Sequence, residues 1–98
     1  MDISIQSVHF DATMQLQEYI QKKMAKLEKL SDKIINGEVI LKLVKPEAAN
    51  NKDVSVKLNI KNGELFANKI ADSFEEAMAQ CVEALEKQLM KAKAERSH

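Results

Sequence analysis

Fourteen of the fifteen cationic side chains in this chain are lysine, Arg96 being the exception. An ammonium acts on phosphate as a point charge and lacks the planar fork with which arginine reads a guanine edge. The chemistry on offer is therefore non-covalent: holding the backbone of a polyanion. Spacing decides which lysines could act together. With Leu16 taken as the zero of rotation on a helix, Lys29, Lys22 and Lys26 fall at roughly 220°, roughly 240° and roughly 280°, and Lys33 joins them at roughly 260° if the helix reaches it. Glu18 and Glu28 fall at roughly 200° and roughly 120°, and Lys23 lands at roughly 340°, inside the apolar arc. A lysine can occupy such a place if its stem lies along the core edge and its ammonium reaches out beside the strip. On a second helix, with Phe74 as the zero, Lys87 and Lys91 fall at roughly 220° and roughly 260°, and Lys93 at roughly 100°. Glu75, Glu76, Glu83 and Glu86 spread over roughly 100–200°. Acid and base are sorted to different flanks of both helices in the same rotational sense. Two such helices lying parallel on one sheet face are expected to make a basic ridge.

Other chemistry is poorly supplied. His9 reads as a surface or rim histidine and His98 ends the chain. Cys81 shares a helix stripe with Met78 and Leu85 and reads as a small buried hydrophobe. The four glutamates of the second helix read as solubilising charge. Two glycines, Gly37 and Gly63, cannot build a phosphate-cradling loop. One cysteine excludes an internal disulfide and a multi-cysteine zinc site. No enzyme, metal, cofactor or small-molecule substrate is expected. Aromatic residues make up only 4% of the chain (Phe10, Tyr19, Phe66 and Phe74), too few for a platform on which single-stranded bases stack. A lysine ridge of fixed geometry suits phosphates of folded or double-helical RNA, read by shape.

The elements that must hold these lysines follow from the apolar periods. Residues 2–10 alternate at first (Ile3, Ile5) and predict a strand with a phase shift near Val8 and Phe10. From 13 to 30 the apolar residues Leu16, Tyr19, Ile20, Met24, Leu27 and Leu30 recur at helical spacing, with Asp11 or Thr13 as N-cap and residues 32–37 as the stop. Residues 38–45 predict a strand, followed by a loop over 46–53. Val54, Val56, Leu58 and Ile60 then alternate with Ser55, Lys57, Asn59 and Lys61, which leaves one sheet face wet. Asn62-Gly63 predicts a type I′ hairpin into a strand over 64–70. Asp72 and Glu75 make a capping-box variant before a long helix from 73 to beyond 91, with the stripe Phe74, Ala77, Met78, Cys81, Val82, Leu85 and Leu89; the tail 94–98 is expected to fray. The order β-α-β-β-β-α predicts an α+β two-layer sandwich: a four-stranded, mostly antiparallel sheet with two helices on one face and the first two strands parallel.

Ninety-eight residues, 45% hydrophobic and 31% charged, fit one soluble domain spanning 1–98. No apolar run approaches the ~20 residues of a membrane span, and the first residues lack a secretory signal's pattern, so a cytoplasmic protein with no membrane role is expected. The net charge of zero argues against an indiscriminate nucleic-acid binder.

Together these features resemble the bacterial ribosome hibernation-promoting factors, the group that includes the ribosome-associated inhibitors and sigma-54 modulation proteins. The resemblance covers nearly the whole chain. It is carried best by Tyr19-Ile20-Gln21-Lys22-Lys23-Met24-Ala25-Lys26-Leu27-Glu28-Lys29 and Leu85-Glu86-Lys87-Gln88-Leu89-Met90-Lys91-Ala92-Lys93, with the Asn62-Gly63 hairpin and the Asp72-Ser73-Phe74-Glu75-Glu76-Ala77 helix start. It implies a fold similar to a double-stranded-RNA-binding domain, and a non-enzymatic translation inhibitor of stationary phase or starvation. Such a factor sits on the small ribosomal subunit, in the channel used by messenger and transfer RNA. Carried over residue by residue, the ribosomal RNA contacts would be Lys22, Lys23, Lys26, Lys29, Lys87, Lys91 and Lys93. The chain carries neither the C-terminal dimerisation domain of long members nor the acidic tail of one short branch, so a monomer off the ribosome is expected, and ribosome pairing would need a second factor. Cys81 stands where relatives usually carry an acid. Two other readings remain open on the residues alone: a free-standing double-stranded-RNA module, and a protein-interaction domain with no RNA role.

Overall fold

The structure, a computed structural model, describes residues 1–45, 49–61 and 63–95, with 92–95 described by backbone alone. The expected loop positions Pro46, Glu47 and Ala48, the turn residue Asn62 and the tail residues Arg96, Ser97 and His98 lie outside the described residues. The elements run β1 (Asp2–Val8), α1 (Met14–Glu28), β2 (Ile34–Leu43), β3 (Lys52–Ile60), β4 (Gly63–Ala71) and α2 (Phe74–Glu95). Spatial strand order follows chain order: β1 pairs parallel with β2, and β2, β3 and β4 pair antiparallel in succession. This is the expected α+β arrangement. The alternation in β3 sets the layers. Val54, Val56 and Leu58 are fully buried beneath the helices, whereas Ser55, Lys57 and Asn59 stay partly exposed on the outer face. Leu16, Ile20, Met24 and Leu27 of α1 and Phe74, Ala77, Met78, Cys81, Val82, Leu85 and Leu89 of α2 close the core from above.

Caps and turns differ from expectation in instructive ways. Thr13 caps α1, its Oγ1 accepting the Leu16 N–H at 3.1 Å. At α2 the cap is Ser73, whose Oγ accepts the Glu76 N–H at 3.1 Å. Asp72 is drawn elsewhere: its carboxylate accepts the N–H of Asn50, a residue at φ 53°, at 2.6 Å. β1 ends at Val8 because His9 adopts φ 72° and turns the chain, so the phase shift is a turn out of the sheet. Phe10 thereby leaves the sheet and stacks on Phe74, ring centroids 4.6 Å apart. β2 begins at Ile34, within the stretch read as a helix stop, and an irregularity in register between Ile34 and Asn36 leaves Ile35 exposed. Gly37 lies inside that strand where α1 presses on the sheet; a Cβ there would sit 2.5 Å from Met24 Cε.

The hairpin reverses where Asn-Gly marks it, with different geometry. Ile60 pairs with Gly63, which opens β4 at a φ that is not positive. Gly63 is thus a strand residue and not the second central residue of a type I′ turn, while Asn62 lies outside the described residues. The Lys61 N–H, bonded to the Lys33 carbonyl at 3.0 Å, carries the β2 ladder one residue beyond β3.

Candidate nucleic-acid interface

Two contacts fix how the helices lie. The Tyr19 hydroxyl donates to the Glu75 carbonyl at 3.2 Å, and Lys26 Nζ lies 3.6 Å from Glu86 Oε1. Both helices therefore advance in the same direction. On α1 the flank turned to α2 is that of Tyr19 and Lys26, at roughly 300° and roughly 280°; on α2 the flank turned to α1 is that of Glu75 and Glu86, at roughly 100° and roughly 120°. The far flanks agree. Gln88, at roughly 320° on α2, donates to the Phe66 carbonyl of β4 at 3.0 Å. Glu28, at roughly 120° on α1, pairs with the Met1 ammonium at the β1 side, a hydrogen bond that raises the pKa of that amine.

Helices sorted in the same rotational sense and running the same way present unlike flanks to each other. The order across the helical layer is therefore the α1 lysines, an acid row of Glu83 and Glu86, and then Lys87 and Lys91 of α2, with Lys93 falling by its angle on the acid flank near the end of the helix. The single ridge expected from the charge sorting becomes two basic strips separated by carboxylates.

Each named lysine has a definite place. Lys22 and Lys29 are exposed on α1, and Lys29 is its C-cap. Lys23 is half-buried, with Nζ 5.4 Å from the centre of the Tyr19 ring, as its position at the core edge requires. Lys91 is exposed on α2. Among the described residues, none of these four forms an ion pair with a carboxylate. Lys26 is paired with Glu86, and Lys87 lies 3.7 Å from Glu83, one turn away on its own helix. The Lys26 and Lys87 side chains remain 64% and 78% exposed, so these pairs are weak and displaceable. Lys93 lies on the backbone of α2, and its side chain is outside the description. Lys33 leaves the strip, since α1 stops at Glu28 and Lys33 stands just before β2.

Tyr19 is the residue that periodicity undervalued. It reads as one more apolar position, yet it bonds α2 with its hydroxyl and carries Lys23 over its ring face. An aromatic four residues before a lysine on a helix is the local signal for such a contact.

The remaining reactive groups stay apart from this layer. His9 is exposed in its turn. Cys81 is fully buried, its Sγ 3.4 Å from the Val54 carbonyl, and burial pushes the thiol up to about 11. Among the described residues no three His, Cys, Asp or Glu side chains gather where they could hold a metal ion, and no helix is long and apolar enough to cross a membrane.

Comparison with known proteins gives the layer a context. Residues 3–97 match the family described as sigma 54 modulation protein / S30EA ribosomal protein. A ribosome hibernation promoting factor of Pseudomonas putida is 32% identical over 93 residues, covering 95% of this chain and 87% of that protein. The fold is also that of a ribosomal subunit interface protein from Coxiella burnetii, with a TM-score of 0.86 at 24% identity over 96% of this chain and 99% of that one. The N-terminal domain of Thermus thermophilus Protein Y gives a TM-score of 0.79 at 20% identity, over 93% and 98% of the two chains.

Proposed function

This chain belongs to the sigma 54 modulation protein / S30EA ribosomal protein family, and from that premise we propose that it is a ribosome hibernation factor whose α1 and α2 lysines hold RNA of the small subunit. Ribosome association and regulation of translation come with the family, whose members are ribosome-binding factors rather than enzymes, and a ribosome-bound protein works in the cytoplasm. The finer reading has residues 1–98 acting as one ribosome-binding domain. It occupies the channel of messenger and transfer RNA under starvation or in stationary phase, and it is a monomer when free. Lys22, Lys23, Lys26, Lys29, Lys87, Lys91 and Lys93 are assigned to phosphates.

The observation that carries the RNA assignment is the α1 strip: Lys22, Lys23 and Lys29 project from a helix fixed to the core by four buried side chains, and none of the three is ion-paired with a carboxylate among the described residues. Fixed amines without stacking aromatics suit a rigid phosphate contour read by shape. Phe66 is the one aromatic that is largely exposed, and it lies on the opposite face of the sheet, so it offers the lysines no base platform. About five engaged phosphates would give a log–log salt slope of roughly −3 to −4.5.

The test is cosedimentation with purified small subunits. Replacing Lys22, Lys26 and Lys29 together by Glu is expected to abolish binding while the circular dichroism spectrum and urea midpoint stay near those of the parent. Undiminished binding would refute the site. Preference for a plain RNA duplex over intact subunits would instead favour a free-standing double-stranded-RNA module, and salt-insensitive binding would favour a protein-interaction domain.

A further inference from the structure

The acid row between the two lysine strips is unexplained by a simple cationic ridge. Glu86 reaches across to Lys26 and Glu83 sits against Lys87, so each strip has a carboxylate on the side that faces the other strip. Resting on the RNA-binding reading above, we infer that Glu83 and Glu86 are specificity-determining residues: they reject polyanions with a single phosphate track and admit ligands whose two tracks straddle the row.

The geometry behind this is short. Packed helices have axes about 8–10 Å apart, so the α1 and α2 strips are parallel lines of amines at roughly that separation. A flexible single strand that tries to engage both strips must cross the carboxylates, where like charge repels it. Structured RNA offers phosphate lines on either side of a groove. With one line on each strip, the groove lies over Glu83 and Glu86, and the ribose hydroxyls that edge it can donate to the carboxylates. Repulsive elements placed against wrong partners are a general route to specificity. The row also accounts for a neutral protein carrying a polyanion site. The charges that cancel the lysines include carboxylates standing between the strips, where they select among ligands.

Glu83 and Glu86 are exposed by 69% and 27%, so each acts through a surface-strength interaction, worth about threefold in binding and about tenfold for the two together. The experiment compares E83Q/E86Q with the parent chain and with a Glu64→Gln control, whose carboxylate pairs with Lys57 on the sheet. Two probes are used: purified small ribosomal subunits and single-stranded polyuridylate, titrated between about 50 and 200 mM salt. The expected result is that the double variant gains about tenfold for polyuridylate, with a salt slope steeper by roughly 1, but no more than about threefold for the subunit, so discrimination falls. The Glu64→Gln control should move neither. Equal gains on both probes would overturn the inference, leaving the acids as uniform counter-ions, and so would no gain on either. Failure of the parent chain to bind subunits at all would sink the proposed function itself, a separable outcome read from a different arm.

Discussion

Tyr19 gives the most demanding test of how the lysine layer is built, because two of its contacts can be removed separately. Tyr19→Phe deletes the hydroxyl that donates to the Glu75 carbonyl at 3.2 Å and keeps the ring beneath Lys23. That hydrogen bond is exposed, so the cost should sit near the low end for a net hydrogen bond, about 0.5–1 kcal/mol. For a domain of this size such a loss lowers Tm by roughly 2–8 °C. Tyr19→Ala also removes a half-buried ring that packs against the core. Truncating a fully buried aromatic costs about 3–5 kcal/mol, so a half-buried one plus its hydrogen bond should cost about 2–3 kcal/mol. Urea unfolding with an unchanged m-value reads both quantities. Binding to small subunits reads the second consequence. The Phe variant, with its ring still beneath the Lys23 ammonium, should bind within about twofold of the parent, while the Ala variant should weaken several-fold at a temperature where it remains folded, since a loose lysine pays rotamer entropy on binding. A Lys23→Met companion, which keeps the stem and deletes the charge, should lose binding with little loss of stability. The reasoning fails if Tyr19→Ala costs less than about 1 kcal/mol, or if Phe and Ala prove equally destabilising.

Three further outcomes follow from the same contacts. Ser73→Ala should destabilise the protein by about 1 kcal/mol through loss of the α2 cap, measured by urea midpoint. Gly37→Ala should cost no more than about 1 kcal/mol, because the added methyl meets Met24 Cε, the movable end of a flexible side chain, and the lost freedom of the unfolded chain offsets part of the strain; Met24→Leu in the same background should relieve it further by drawing that methyl back. The Cys81 thiol, raised by burial from 9.0 to about 11, should not react with a thiol reagent at about pH 8 until urea unfolds the chain. Its linkage has a definite sign. Well below pH 9.0 the thiol is neutral in both states and its contribution is intact. Between 9.0 and about 11 only the unfolded chain ionises, so stability should fall as pH rises, a slope that Cys81→Ala removes.

Much of the fold was legible because its periods are clean. The β3 alternation and the two helical stripes mark the residues that prove most buried, and the element order alone sets the parallel β1–β2 pair. What misled were short polar stretches whose side chains have two uses. Asp72 and Ser73 are both good caps, and only the approach of Asn50 decides that Asp72 serves the loop and Ser73 the helix. Gly37 looked like a helix terminator because glycine usually is one there, whereas its value is the missing Cβ beneath Met24. Asn62-Gly63 marks a reversal, yet the register of the ladder pairs Gly63 with Ile60 and so draws that glycine into β4.

The candidate site divides along a similar line. Which lysines share a flank is a property of one helix and needs only the angle between residues. Whether two flanks meet as like or unlike charge depends on the relative direction of the helices, which is a tertiary fact. Had α2 run antiparallel to α1, the same sorting would have turned its lysine flank toward α1 and joined the strips into one. Because the β3–β4 hairpin returns the chain to the end of the sheet where α1 begins, α2 runs with α1 and its acids fall between. Charge placement on the sequence and chain direction in the fold thus combine into a property neither contains alone: a neutral protein with two cationic tracks held apart. The same logic says which substitution would merge them. Glu86→Lys would bridge the strips at the point where the helices touch, and if the proposed selectivity holds in the parent chain this variant should bind RNA and heparin alike, with a salt slope steeper by about 1–2 and no preference for the small subunit. Retention of that preference in Glu86→Lys would mean that selectivity resides in the lysine spacing and that the acids are incidental.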